Sequence, residues 1–145
     1  MSAKISKRLS EIVSALPIRD GMRVLEIGCG PGAAARAIVE SHDNVYVWAI
    51  DRSAKAITQA KAGSKIPMAS GKLHFQTVDI ENFELENEEQ LFDLAFAIRV
   101  GALDGRHPDK AKLALPKIAR ALKKNGKLFI DGGTPLKAID LGAYR

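Results

Sequence analysis

Arg23-Val24-Leu25-Glu26-Ile27-Gly28-Cys29-Gly30-Pro31-Gly32 is the stretch around which the chain is organised. Its apolar run has the length of a buried strand. The run stops at a glycine cluster, and an Ala-rich segment with good helix propensity follows, Ala33 to Glu40. Strand, tight glycine turn and helix make the first half of a βαβ nucleotide-binding unit. Glycines let backbone approach a ligand closely, and the helix N-terminus offers free N–H groups.

Working outward, the spacing predicts elements that alternate. Ile5, Leu9, Ile12, Val13 and Leu16 form one face of an amphipathic helix, with Lys4, Lys7, Arg8 and Glu11 facing out. Pro17 stops it. That helix precedes the core unit and is expected on the outside of the sheet. Val45 to Ile50 reads as a second strand ending at Asp51. Ser53 is a good N-cap for a helix over Ala54 to Ala62, with Gly63 as its stop. Ser64 to Lys72 reads as a loop. Leu73 to Val78 alternates apolar and polar residues and ends at Asp79, as an edge strand does. Glu81 to Gln90 reads as a loop or one short helix. Phe92 to Ile98 is apolar throughout and is expected to be central. Asp109 to Lys124 has a helical apolar face, and Pro116 marks either a kink or the first helical position. Asn125-Gly126 is expected to end it, and Lys127 to Ile130 is a fifth strand.

This alternation predicts an α/β fold: a doubly wound, mainly parallel Rossmann-like sheet of about five strands, order 3-2-1-4-5, with helices on both faces. One domain is expected over 1–145, with an N-terminal helix and turn at 1–20, a ligand-binding core at 23–133 and a tail at 134–145. The fifth strand would leave an apolar sheet edge, an association liability. Either the tail Leu136 to Leu141 covers that edge, or two chains pair along it as a homodimer.

The 145 residues are 46% hydrophobic and 27% charged, as in an ordinary globular domain. No apolar run approaches the roughly 18 residues of a membrane span. Residues 1–16 lack the continuous apolar stretch of a signal peptide, so a cytoplasmic setting is the expectation. Cys29, the one cysteine, excludes an internal disulfide and a Cys-based metal site, and no metal is expected. The net charge of +5 is unevenly spread. Asp79 to Asp93 carries seven acidic residues and no Lys or Arg, whereas Asp104 to Lys127 carries eight Lys and Arg against two Asp. A basic face can meet nucleic acid or an acidic substrate; charges at helical spacing around an apolar stripe also make an ordinary solvated face.

Two ligands compete for the glycine loop. Gly28, Gly30 and Ala33 satisfy the dinucleotide spacing, and Asp51 lies where an acid would take ribose hydroxyls, so NAD is allowed. The wider stretch Val24 to Gly32 closely resembles the first motif of class I S-adenosylmethionine-dependent methyltransferases, through the acid two residues before the first glycine and the Gly-x-Gly-x-Gly spacing. The electrostatics agree. Pyrophosphate is repelled by a nearby carboxylate, whereas S-adenosylmethionine carries a sulfonium and an ammonium that suit Glu26.

The resemblance extends along the chain. Trp48-Ala49-Ile50-Asp51-Arg52-Ser53 looks like the second motif, which implies that Asp51 binds both ribose hydroxyls and places Arg52 against the adenine face. Val78-Asp79-Ile80 looks like the third, with Asp79 accepting from the adenine amino group and the Ile80 N–H bonding a ring nitrogen. Ala121 to Leu128 resembles the helix-turn-strand before strand five. The cofactor-binding set implied is Glu26, Gly28, Cys29, Gly30, Gly32, Asp51, Arg52, Asp79, Ile80 and Ile98. The activity implied is methyl transfer from S-adenosylmethionine, with S-adenosylhomocysteine as product.

The acceptor is expected to enter by the loop after strand four, 98–107. His107 there is either a general base or a turn former before Pro108. Arg99 either holds an anionic acceptor or pairs with an acid of the 79–93 segment. No Asp/Asn-Pro-Pro-Tyr/Phe segment follows strand four, which favours a small-molecule acceptor over a nucleic acid. Family members usually continue after strand five with a helix and an antiparallel hairpin. The expectation is therefore a short form, and a cofactor-binding or regulatory module without acceptor chemistry stays open beside the enzyme.

Overall fold

A computed structural model describes residues 5–85 and 90–145. Lys4 and positions 86–89 of the acidic segment lie outside the described residues. The elements are α1 (Lys7–Ala15), β1 (Arg23–Ile27), α2 (Ala33–Ser41), β2 (Tyr46–Asp51), α3 (Ala54–Ala62), α4 (Lys65–Ala69), β3 (Leu73–Thr77), β4 (Phe92–Ala97), α5 (Pro108–Ala121), β5 (Leu122–Asp131) and β6 (Leu136–Ile139). Short 3-10 turns lie at Ile80–Asn82 and Gly142–Tyr144.

The sheet has six strands in the order β3-β2-β1-β4-β5-β6. The first five are parallel, which gives the expected 3-2-1-4-5 arrangement with β1 and β4 central and β3 at an edge. Side chains alternate across the sheet and feed two cores. Val24, Val47, Ala49, Phe75, Leu94 and Phe96 meet α1, α2 and α3 on one face. Leu25, Ile27, Ile50, Phe92, Ala95 and Leu128 meet α5 and the 80–82 turn on the other. Ile12, Val13 and Leu16 bury the inner side of α1, which packs on α2 outside the sheet. Ser53 caps α3, its Oγ accepting from the Ala56 N–H at 3.1 Å.

Two expectations are corrected. The 64–72 loop contains α4, because Pro67 falls in the first helical turn, where a missing N–H costs nothing. Helix α5 begins at Pro108, runs through Pro116 and ends at Ala121 rather than Lys124. Leu122 is already extended and pairs with Phe92, while the next pair is Leu94 with Lys127. Residues 123–126 therefore bulge out between two sheet contacts instead of prolonging the helix. Arg145 donates to the Lys123, Lys124 and Gly126 carbonyls that the bulge leaves free of the ladder.

At the β5 edge the first of the two expected arrangements is found. β6 pairs antiparallel with β5, from Leu128 with Ile139 to Asp131 with Leu136. The tail thus covers the apolar edge of β5, whose ladder is paired within one chain.

Candidate functional site

The carboxyl ends of the parallel strands enclose a cavity of ≈ 330 Å³. Open α/β sheets bind ligands at this edge. Gly28, Asp51, Arg52, Asp79 and Ile80 line it, and so do Arg99 and His107 from the loop after β4. Glu26, Cys29, Gly30, Gly32 and Ile98 do not. The first four form or underlie the glycine loop, and Ile98 packs against the core on the α1–α3 face.

The glycine loop is held from several sides. Asp51 Oδ2 accepts from the Gly30 N–H at 2.8 Å, and Oδ1 accepts from the Ser53 N–H at 2.9 Å. A carboxylate has about four lone-pair sites, so Asp51 ties the loop and can still accept two further donors. The Gly28 and Cys29 N–H groups both bond the Ile50 carbonyl, at 2.8 and 2.9 Å. Gly28 has φ +73°, and a Cβ there would lie 2.7 Å from Val100 Cγ2. Only glycine allows the loop to run this close to the segment after β4.

Glu26 lies beneath the loop on the α2 side, only 4% exposed. Its Oε1 has no hydrogen-bond partner. Burial raises its pKa from 4.5 to about 8; Asp51 adds to the shift, while Arg36 and the Ala35 N–H oppose it. A carboxylate so placed favours a cation that reaches it. Cys29 is buried in the same loop, and desolvation, with the two nearby carboxyls, pushes its thiol far above the usual range. It is inert as a nucleophile.

On the opposite rim, Asp79 Oδ1 accepts from Asn82 Nδ2 at 2.6 Å. Arg99 is a non-glycine residue with φ +58°. Its N–H donates to Asp131 Oδ1 at 3.0 Å, and its carbonyl accepts from Arg106 Nη2 at 3.1 Å. Asp131 also meets Arg8 at 3.6 Å. Strained backbone of this kind persists only where its surroundings over-determine it. It is Lys117, not Arg99, that pairs with Glu84 of the acidic segment. His107 is the N-cap residue of α5; its N–H donates to the Gly101 carbonyl at 3.1 Å, and its ring covers Gly101. Among the described residues, no three His, Cys, Asp or Glu side chains are grouped to hold a metal ion.

Three contributors had gone unread: Val100, Asp131 and the buried pair Arg36–Ser64. Arg36 left one signal, a cation inside the apolar run Ala33 to Val39. Val100 and Asp131 left none, since their roles arise from contacts between β1, β4 and β5.

Comparison with known proteins agrees with this geometry. A family described as a methyltransferase domain matches residues 18–138. An O-methyltransferase of Pyrenophora dematioidea is 32% identical over 130 residues, 86% of this chain and 46% of that protein. The chain spans about half the length of the curated relatives it matches. Among solved structures, the [4+2]-cyclase SpnF is 27% identical with a TM-score of 0.67, covering 85% of this chain and 43% of that one. A methyltransferase from Geobacter sulfurreducens, solved with S-adenosylhomocysteine, shares the fold at a TM-score of 0.67 and 21% identity, over 88% of this chain and 48% of that one. The match across 18–138, on a sheet of this strand order with the glycine loop at its carboxyl edge, shows that the chain belongs to the methyltransferase-domain family, in its class I, Rossmann-like form.

Proposed function

We propose that the protein binds S-adenosylmethionine in this cavity and transfers its methyl group to a small-molecule acceptor. The observation that carries the reading is Glu26, a buried carboxyl with an unpartnered oxygen directly under the glycine loop. An anionic pyrophosphate would meet repulsion there once the group ionises, whereas a sulfonium or ammonium would stabilise its charge. The remaining donor set fits. Asp51 keeps lone pairs for ribose hydroxyls, and Asp79 with the Ile80 N–H offers an acceptor and a donor for the adenine edge. The glycine loop leaves room for close backbone approach. Arg52 lies beside them on the cavity wall.

The bound cofactor supplies an already activated methyl group. The chain's own task is to hold the acceptor in line and exclude water, so positioning supplies much of the rate. Arg99 and His107, on the loop after β4, are the side chains assigned to the acceptor side. No described helix is long and apolar enough to cross a membrane, and the proposed setting is the cytoplasm.

The test is calorimetry with S-adenosylmethionine and NAD, followed by mass-spectrometric detection of S-adenosylhomocysteine over a panel of small hydroxyl, carboxyl and amine acceptors. Binding of S-adenosylmethionine with turnover on a panel member supports the reading; tight binding of NAD alone refutes it. The similarity to a cyclase favours one second reading, a cofactor-binding protein that does not transfer the methyl group. Binding without S-adenosylhomocysteine across the panel would support that instead.

A further inference from the structure

Arg36 sits in the middle of α2, yet it is only 6% exposed. Its Nη1 donates two hydrogen bonds, to the Pro31 carbonyl at 2.8 Å and to Ser64 Oγ at 2.9 Å. Pro31 is in the glycine loop. Ser64, just before α4, is 1% exposed. The guanidinium fills a slot between two glycines: a Cβ would come within 3.0 Å of Nη1 at Gly32 and 3.1 Å at Gly63. A side chain at either position would press on the guanidinium, which would have to give way slightly. A buried cation is costly unless paired, and neither of its two acceptors is charged. The acid whose charge it favours is Glu26, on β1 under the same loop.

We propose that Arg36 is a positioning residue for cofactor binding: it straps the Pro31 carbonyl of the glycine loop to Ser64 and holds a buried positive charge against the loop under which Glu26 lies. This rests on the reading of the cavity as an S-adenosylmethionine site. The groups acting on Glu26 are Asp51 from β2, which opposes its ionisation, and Arg36 from α2, which favours it. Cys29 of the loop is nearby and stays a neutral thiol. The strap and the charge are separable. Ser64 carries only the first, and a lysine at 36 keeps the charge but is one bond shorter, so its ammonium stops short of the Nη1 position that bonds both acceptors.

The experiment follows the Glu26 carboxyl carbon by NMR between pH 5 and 10 in ligand-free wild type, Arg36→Gln, Arg36→Lys and Ser64→Ala, with calorimetry of S-adenosylmethionine binding for each. The proposal expects Arg36→Gln to raise the Glu26 midpoint by at least about half a pH unit and to weaken binding about tenfold or more. Ser64→Ala should weaken binding without moving the midpoint, and Arg36→Lys should keep the midpoint while losing affinity. An unmoved midpoint in Arg36→Gln overturns the charge role. Wild-type affinity in both Arg36→Lys and Ser64→Ala overturns the strap, and these variants decide it even if Arg36→Gln does not fold. A midpoint that moves in a protein with no affinity for S-adenosylmethionine supports the hold of Arg36 on Glu26 and refutes only the cofactor reading.

Discussion

Glu26→Gln should act on stability and on ligand binding in opposite directions. In the unfolded chain the carboxyl loses its proton near 4.5, whereas in the folded protein burial holds it to about 8. Below pH 4.5 both states are protonated and the group contributes no pH dependence. As pH rises from 4.5 to 8, only the unfolded state ionises, so stability falls by about 1.4 kcal/mol per pH unit. Above 8 both states are ionised and the loss levels off at about 5 kcal/mol. The glutamine variant lacks this slope. Its amide places an unpartnered donor in the same pocket, a constant cost of about 1–3 kcal/mol. The diagnostic quantity is therefore how the stability difference changes with pH, not its offset. Urea denaturation of both ligand-free proteins from pH 4 to 9 reads it. The variant should gain about 5 kcal/mol on wild type across that range while binding S-adenosylmethionine about 1.5–3 kcal/mol more weakly. A difference that stays flat between pH 5 and 8 would show that Glu26 is solvated or already paired, and the argument for a cation site would fail with it.

Three further outcomes follow from the same geometry. Binding of S-adenosylmethionine at pH 7 should release protons as Glu26 ionises against the ligand; calorimetry in buffers of different ionisation heat measures this, and no release would contradict the assignment. Asp51→Asn removes the charge and keeps one oxygen, enough for the Gly30 or the Ser53 N–H but not both, so affinity should drop by about 1.5–3 kcal/mol with the fold intact by circular dichroism. An unchanged dissociation constant would place the ribose elsewhere. Gly28→Ala combines a left-handed backbone with a 2.7 Å approach to Val100. It should cost about 1–2 kcal/mol of stability from backbone alone and displace the loop after β4. Cofactor affinity measured on the folded fraction should fall, and wild-type affinity would show that Val100 does not wall the site.

The sequence by itself determined the parallel sheet and its order, because apolar runs of strand length alternate with helical periodicity and end in recognisable punctuation. Glycines at 28, 30 and 32 announce a tight turn after β1, and Ser53 announces α3 through a local hydrogen bond. Three acids, Glu26, Asp51 and Asp79, stand at or near the ends of β1, β2 and β3, so the carboxyl edge could be read as the site. What remained was decided by contacts between residues distant in the chain. Leu136 to Ile139 has weak strand character of its own and becomes β6 because β5 offers it an unpaired ladder. Leu122 leaves α5 because Phe92 pairs with it across the sheet. Asp51 and Glu26 both read as acids. Tertiary structure makes one a tie for the loop and the other a desolvated carboxyl titrating near 8, since burial and neighbouring charge belong to the packed site and not to the residue. Arg36 shows the same thing most plainly: a cation in a helical run would ordinarily face water, and only the packing of α2 against the glycine loop and Ser64 turns it inward.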